Sequence, residues 1–109
     1  MASSKRTEND KLLLKCLGKA LRERREDLGM TAMGVAKRAE TTDTAIMEAE
    51  RGQRDIRVST LAKAAKALNC TQADLLRTAE FLFRVMSTQP MVGVSPGSFL
   101  ERAEKELVK

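Results

Sequence analysis

Residues 31–52, TAMGVAKRAETTDTAIMEAERG, decide how this chain folds. Two helix starts stand within them. Thr31 is an N-cap candidate, and Thr41-Thr42-Asp43 reads as a turn followed by a second N-cap. Behind the first cap, Val35, Ala36 and Ala39 fall on one side of a short helix. Behind the second, Ile46 and Ala49 do the same over residues 42–50. Gly52 supplies the stop for the second helix, because glycine tolerates the left-handed conformation that ends helices. Only Glu40, Thr41 and Thr42 separate the two periodic segments, so they are joined by a tight turn.

On the N-terminal side, residues 1–8 read as a mildly basic, flexible arm. A first helix begins near Asn9 or Asp10 and runs to Leu28, with Leu13, Leu17, Ala20, Leu21 and Leu28 on one face and Gly29 as its stop. On the C-terminal side, residues 52–57 are a polar, basic loop. A fourth helix follows over residues 58–68, its stripe made of Val58, Leu61, Ala62, Ala65 and Leu68. Asn69 suits a left-handed position after it. Thr71 and Asp74 form a box-like cap for a fifth helix. That helix does not stop at Leu76: Leu75, Leu76, Ala79, Leu82, Phe83 and Met86 keep one apolar rhythm. Residues 87–97, with Pro90, Gly93, Pro96 and Gly97, are a linker. Ser98 to Glu101 is a capping box opening a last short helix with Phe99, Leu100, Ala103 and Leu107 on one face. The expected organisation is therefore an arm over 1–8, a helical domain over 9–76, and a helical extension with linker and last helix over 77–109.

Composition narrows the function. The 109 residues are one domain's worth, 42% hydrophobic and 32% charged, in keeping with an all-α soluble fold rich in good helix formers. No histidine is present, which excludes a histidine-containing triad and a histidine-ligated zinc site. Acidic residues sit beside Lys and Arg at helical spacing, the mark of a solvated face, and no phosphate loop, nucleophile motif or metal cluster is legible. The reading is a non-enzyme without cofactor, metal or small-molecule substrate. Cys16 and Cys70 lack ligand spacing; two free thiols is the first reading and a disulfide between them the lesser one. No apolar run reaches the ~18 residues of a membrane span, and the polar start suits the bacterial cytosol or nucleoid. Twenty Lys and Arg outnumber fifteen Asp and Glu, for a net charge of +5, which points to a polyanionic partner.

Two short helices and a tight turn inside a basic five-helix domain form a helix-turn-helix. Ordered pieces of the sequence match a known pattern: Leu17 to Glu23, Arg25 to Thr31, Val35 to Ala39, Ile46, Glu50-Arg51-Gly52, Leu61, Lys63 to Leu68 and Asp74 to Leu76. Together they resemble the Xre/Cro/phage-repressor helix-turn-helix family across residues 17–76. The resemblance implies a five-helix repressor-like domain that binds double-stranded DNA as a transcriptional regulator. It implies that the third helix enters the major groove with Thr42, Asp43, Thr44, Met47 and Glu48 facing bases. It implies phosphate contacts from Thr31 with the start of the second helix, and from Arg51, Gln53, Arg54 and Arg57 in the following loop. It also implies an ion pair between Arg25 and Glu50. A carboxylate at a helix C-terminus gains from a neutralising cation, although two unrelated surface charges would read the same in sequence. Lys5 and Arg6 are either a DNA-reaching arm or a solvated tail.

The sequence departs from the family at the reading surface. Ala32 stands where the family favours Gln, Gly34 where a capping acid is usual, and Ala49 where a larger aliphatic is common. Asp43 and Glu48 replace neutral or basic side chains. Residues 31–50 hold Lys37 and Arg38 against Glu40, Asp43, Glu48 and Glu50, a net of −2. Residues 51–66 hold Arg51, Arg54, Arg57, Lys63 and Lys66 against Asp55, a net of +4. Carboxylates accept from cytosine but repel phosphates. Two functions therefore compete: a sequence-specific DNA-binding regulator, and a helix-turn-helix scaffold acting by protein contact, as an anti-activator or antitoxin-like partner would. Palindromic operators imply a homodimer. Phe81, Leu82, Phe83 and Met86, with Phe99 and Leu100 of the last helix, are its candidate interface; the alternative is a last helix folded back on its own domain.

Overall fold

The structure, a computed structural model, describes residues 6–87. The expected last helix with Phe99 and Leu100, nearly all of the linker, and Lys5 lie outside the described residues. Five helices follow in order: α1 Glu8–Asp27, α2 Ala32–Arg38, α3 Asp43–Glu50, α4 Val58–Ala67 and α5 Gln72–Ser87. Among the described residues the fold is all-α.

α1 starts one residue before the expected point because Thr7 caps it. The Thr7 hydroxyl accepts from the Asp10 amide at 3.1 Å, and the Asp10 carboxylate accepts from the Thr7 amide at 3.0 Å. Residues 7 and 8 of the expected arm therefore belong to the helix start. α1 and α5 pack antiparallel. At one end the Cys16 thiol donates to the Met86 sulfur at 3.9 Å. At the other, Arg24 donates to the carbonyls of Leu68 and Asn69, just before α5, at 2.9 and 3.0 Å. α5 runs unbroken through residue 76, so the residues from 77 to 87 continue it. Its start is held by Thr71 and Asp74, whose paired hydrogen bonds keep the Asp74 carboxyl below its usual range.

α3 packs on both α1 and α2, and α4 sits against α2 and α5. Of the 17 buried hydrophobic residues described, nine are alanine, so the helices approach closely while each position contributes little apolar area. Four expected core positions are exposed instead. Leu28 is the C-cap of α1, past its last helical turn, and is 38% exposed. Leu13 is 41% exposed, because α1 turns Cys16, Leu17, Ala20 and Leu21 inward. Val58 opens α4 and stands clear of the core at 72%. Leu76 faces outward on α5, while Leu75 and Ala79 are buried. Both cysteines are free, and burial pushes the thiols of Cys16 and Cys70 up in pKa.

The turn between α2 and α3 contains Glu40 at φ 56°. A side chain in the left-handed region costs about 1 kcal/mol that glycine does not incur. Glu40 is exposed, and its carboxylate makes no hydrogen bond among the described residues. Glu40→Gly is accordingly expected to raise thermal stability by about 1 kcal/mol, read as a melting temperature several degrees higher. An unchanged or lower melting temperature would contradict this account of the turn.

Candidate nucleic-acid interface

The free face of α3 follows from what its other face buries. Ala45, Ile46 and Ala49 are buried, and these positions recur at helical spacing. Asp43, Thr44, Met47 and Glu48 occupy the opposite side, with Thr44 and Met47 exposed. Thr42 is the N-cap, and its hydroxyl accepts from the Ala45 amide at 3.1 Å. Thr31 plays the same part for α2, accepting from the Gly34 amide at 3.0 Å. Each hydroxyl keeps its own proton to donate.

The C-terminal end of α3 is anchored to α1. Arg25 Nε donates to Glu50 Oε2 at 2.7 Å and Nη2 donates to Oε1 at 3.0 Å, a two-pronged pair. Arg25 Nη1 also donates to the Met30 carbonyl at 2.9 Å, which ties the loop after α1 to the same cation. The two side chains are only 17% and 8% exposed. The hydrogen bond that Arg25 donates to Glu50 raises the Arg25 pKa against an opposing desolvation effect. α3 has no basic residue in its own last turn, so Arg25 supplies the positive charge its C-terminus lacks.

Two glycines make this approach possible. A methyl on Gly18 would overlap the backbone carbonyls of Ala49 and Glu50. Gly52, at φ 72°, turns the chain out of α3 directly against the backbone of Lys15.

The loop that follows carries the cations. Its backbone is held by hydrogen bonds from the Gly52 amide to the Ala49 carbonyl at 3.1 Å and from the Gln53 amide to the Glu48 carbonyl at 2.9 Å. Ile56 packs against the core from the far side of the loop. Arg51, Gln53, Arg54 and Arg57 are all exposed. Arg6 Nη1 reaches the Gln53 carbonyl at 3.5 Å, a long contact from the start of the chain.

The acids near the outer face of α3 have local partners that composition did not reveal. Arg54 Nε and Nη2 donate to Glu48 Oε1 at 3.1 and 2.8 Å. Asp43 Oδ1 accepts from the Thr44 amide at 2.9 Å, at the helix start where a negative charge is favoured. Glu50 is taken by Arg25. The sequence signal for the Glu48–Arg54 pair was only a spacing of six residues across a glycine turn, which no helical rule links.

Of the candidate dimer residues, Leu82 and Phe83 pack in part against the chain's own core. Phe81 is half-buried, and Met86 is 48% exposed beside Cys16. No group of metal-ligating side chains occurs among the described residues. No described helix is long and apolar enough to cross a membrane.

The model of a helix-turn-helix domain matches residues 17–78. The chain belongs to the helix-turn-helix family. That stretch runs from the close-packed part of α1, through the α2–α3 pair, to the first half of α5. Solved structures agree with this assignment. One of the clp gene regulator ClgR from Corynebacterium glutamicum is 34% identical, covers 62% of this chain and 88% of its own, and superposes with a TM-score of 0.60. A second ClgR structure is 28% identical over 88% of this chain and 85% of its own, with a TM-score of 0.61. The restriction-modification controller protein C.AhdI from Aeromonas hydrophila is 29% identical over 57% of this chain and 94% of its own, at a TM-score of 0.56. No curated protein matches the chain significantly.

Proposed function

We propose that this helix-turn-helix protein is a sequence-specific DNA-binding transcription regulator that inserts α3 into the major groove and rests the 51–57 loop on the backbone. The observation that carries the reading is the outward face of α3. Thr44 and Met47 stand clear of the core there, and Arg51 and Arg57 in the following loop are exposed as well. A clp gene regulator and a restriction-modification controller protein are among the similar structures, which supports a regulatory role. The local acids favour the rival protein-contact reading less than their number implies, since Glu48 and Glu50 are each paired with an arginine.

Thr31 and the loop residues Arg51, Gln53 and Arg57 are the proposed phosphate contacts. Thr42, Thr44, Met47 and Glu48 are the proposed base-facing set, and Asp43 serves the start of α3. The regulator works as a homodimer, with the outer side of α5, including Phe81 and Met86, as the proposed contact. Leu82 and Phe83 support that surface from beneath. The reading gives the protein no catalytic role, and cytoplasm is the compartment it requires.

Arg57→Glu tests the backbone half of the proposal. Arg57 is exposed and forms no side-chain cap for α4, so the substitution leaves the fold intact. Binding to every duplex is expected to weaken by about tenfold or more. The slope of log affinity against log salt should fall by about 1 for each phosphate no longer gripped. Unchanged affinity and slope would remove Arg57 from the interface. A protein whose DNA binding is both weak and independent of sequence would favour the protein-contact reading.

A further inference from the structure

The Glu48–Arg54 pair lies on the proposed reading surface, and its geometry is specific. Arg54 Nε and Nη2 both land on one oxygen, Oε1. Oε2 accepts no hydrogen bond among the described residues. The pair is also held at its base. The Gln53 amide donates to the carbonyl of Glu48 itself, so the backbone beside Arg54 is tied to the helix turn that carries Glu48. We infer that Glu48 reads a cytosine through its free oxygen, and that Arg54 is the residue that positions it rather than a grip on phosphate.

The inference rests on the DNA-binding reading above and adds a base to it. An ionised carboxylate can only accept hydrogen bonds. In the major groove guanine presents acceptors and thymine an acceptor with a methyl group, so both are refused. Adenine offers a donor beside an acceptor, and the acceptor faces the carboxylate unfavourably. Cytosine N4 offers a donor alone. A bare carboxylate would also be repelled by the phosphates lining the groove. Arg54 removes that obstacle, because a cation within hydrogen-bond distance offsets the charge where distant phosphates act only through screened solvent. The same hydrogen bonds hold the carboxylate in one orientation before DNA arrives, which reduces the ordering cost of binding. Thr44 and Met47 flank Glu48 on the same face and bring methyl groups. The adjoining base pairs are therefore suited to thymine, whose C5 methyl accepts apolar contact.

Selection from a randomised duplex library with purified full-length protein tests this, using wild type, Glu48→Ala, Glu48→Gln, Arg54→Ala and Arg54→Lys. Both residues are solvent-facing, and a melting curve for each variant checks that it folds. The wild-type site is expected to hold one C·G pair per half-site that Glu48→Ala no longer prefers, a loss of about 5- to 150-fold discrimination at that position. Glu48→Gln should move the preference there to A·T, since Gln pairs with adenine through both of its groups. Arg54→Ala should blur the same position and leave the rest of the site unchanged, and Arg54→Lys should restore part of it. The opposite result for Arg54→Ala is a uniform fall in affinity on all sequences, a salt slope lower by about 1 and an intact preference. That result would make Arg54 a phosphate contact and overturn the positioning role. A cytosine preference that survives Glu48→Ala would overturn the inference alone. A wild-type protein that enriches no sequence would remove the DNA-binding reading and this inference with it.

Discussion

Gly18→Ala is expected to destabilise the domain by about 3 kcal/mol, at the upper end of the usual cost of overpacking a core. The added methyl would meet the carbonyls of Ala49 and Glu50, which are backbone atoms and cannot rotate aside as a side chain can. α1 and the end of α3 would have to separate. Moving them apart would also lengthen the Arg25–Glu50 hydrogen bonds, which join the same two elements. In a helix interior alanine is otherwise the better residue by about 1 kcal/mol, so propensity alone predicts the opposite sign. A denaturant titration decides between them. A midpoint equal to or above wild type would show that the close approach of the two helices is not a constraint.

Arg25→Ala is the second large effect. It would leave Glu50, 8% exposed at a helix C-terminus, without its cation, and would free the Met30 carbonyl. Removing one partner of a buried pair costs about 3–5 kcal/mol, most of it from the stranded charge. This site retains some solvent access, with Arg25 17% exposed, so about 3 kcal/mol is expected. The corresponding fall in melting temperature is on the order of 15 °C. The double substitution with Glu50→Ala should recover part of the loss, because the orphaned carboxylate is then gone. Equal melting temperatures for wild type and Arg25→Ala would rule out a stabilising pair. A double variant no better than Arg25→Ala would assign the cost to Met30 and packing instead.

Much of the architecture was legible because its signals are local. Thr31, Thr42 and Thr71 are short polar side chains ahead of periodic apolar residues, and each caps the helix it precedes. Gly29 and Gly52 adopt positive φ, as does Asn69, where helices end. The facing of marginal positions was less legible. Leu13, Leu28 and Val58 fit an apolar stripe by spacing, but helix ends and the width of the stripe decide burial, and both depend on the neighbouring helices. Glu40 carries no local sign of its left-handed backbone. Its conformation is imposed by the requirement to join α2 to α3 in so few residues.

The candidate site divides in the same way. Which residues share the outer face of α3 follows from helical spacing once Ile46 and Ala49 are placed inward. What the charges do does not. A count of charges over residues 31–50 makes the α2–α3 segment acidic, whereas the folded chain pairs Glu50 with Arg25 and Glu48 with Arg54. These pairs cross loops and helices, so they are set by tertiary geometry and leave no periodic trace. Gly18 shows the same limit. In the sequence it is an unexplained weak point in a helix, and only the position of α3 gives it a purpose.

The central claim is that the outer face of α3 reads a DNA sequence. Its most direct test is to mix the purified chain with fragmented genomic DNA of its host at moderate and at high salt, then recover and sequence what is bound. The account predicts a small set of fragments sharing one motif with two-fold symmetry, its half-sites about one helical turn apart, recovered far less well at high salt. Recovery spread evenly over the genome, or no recovery at all, would contradict it.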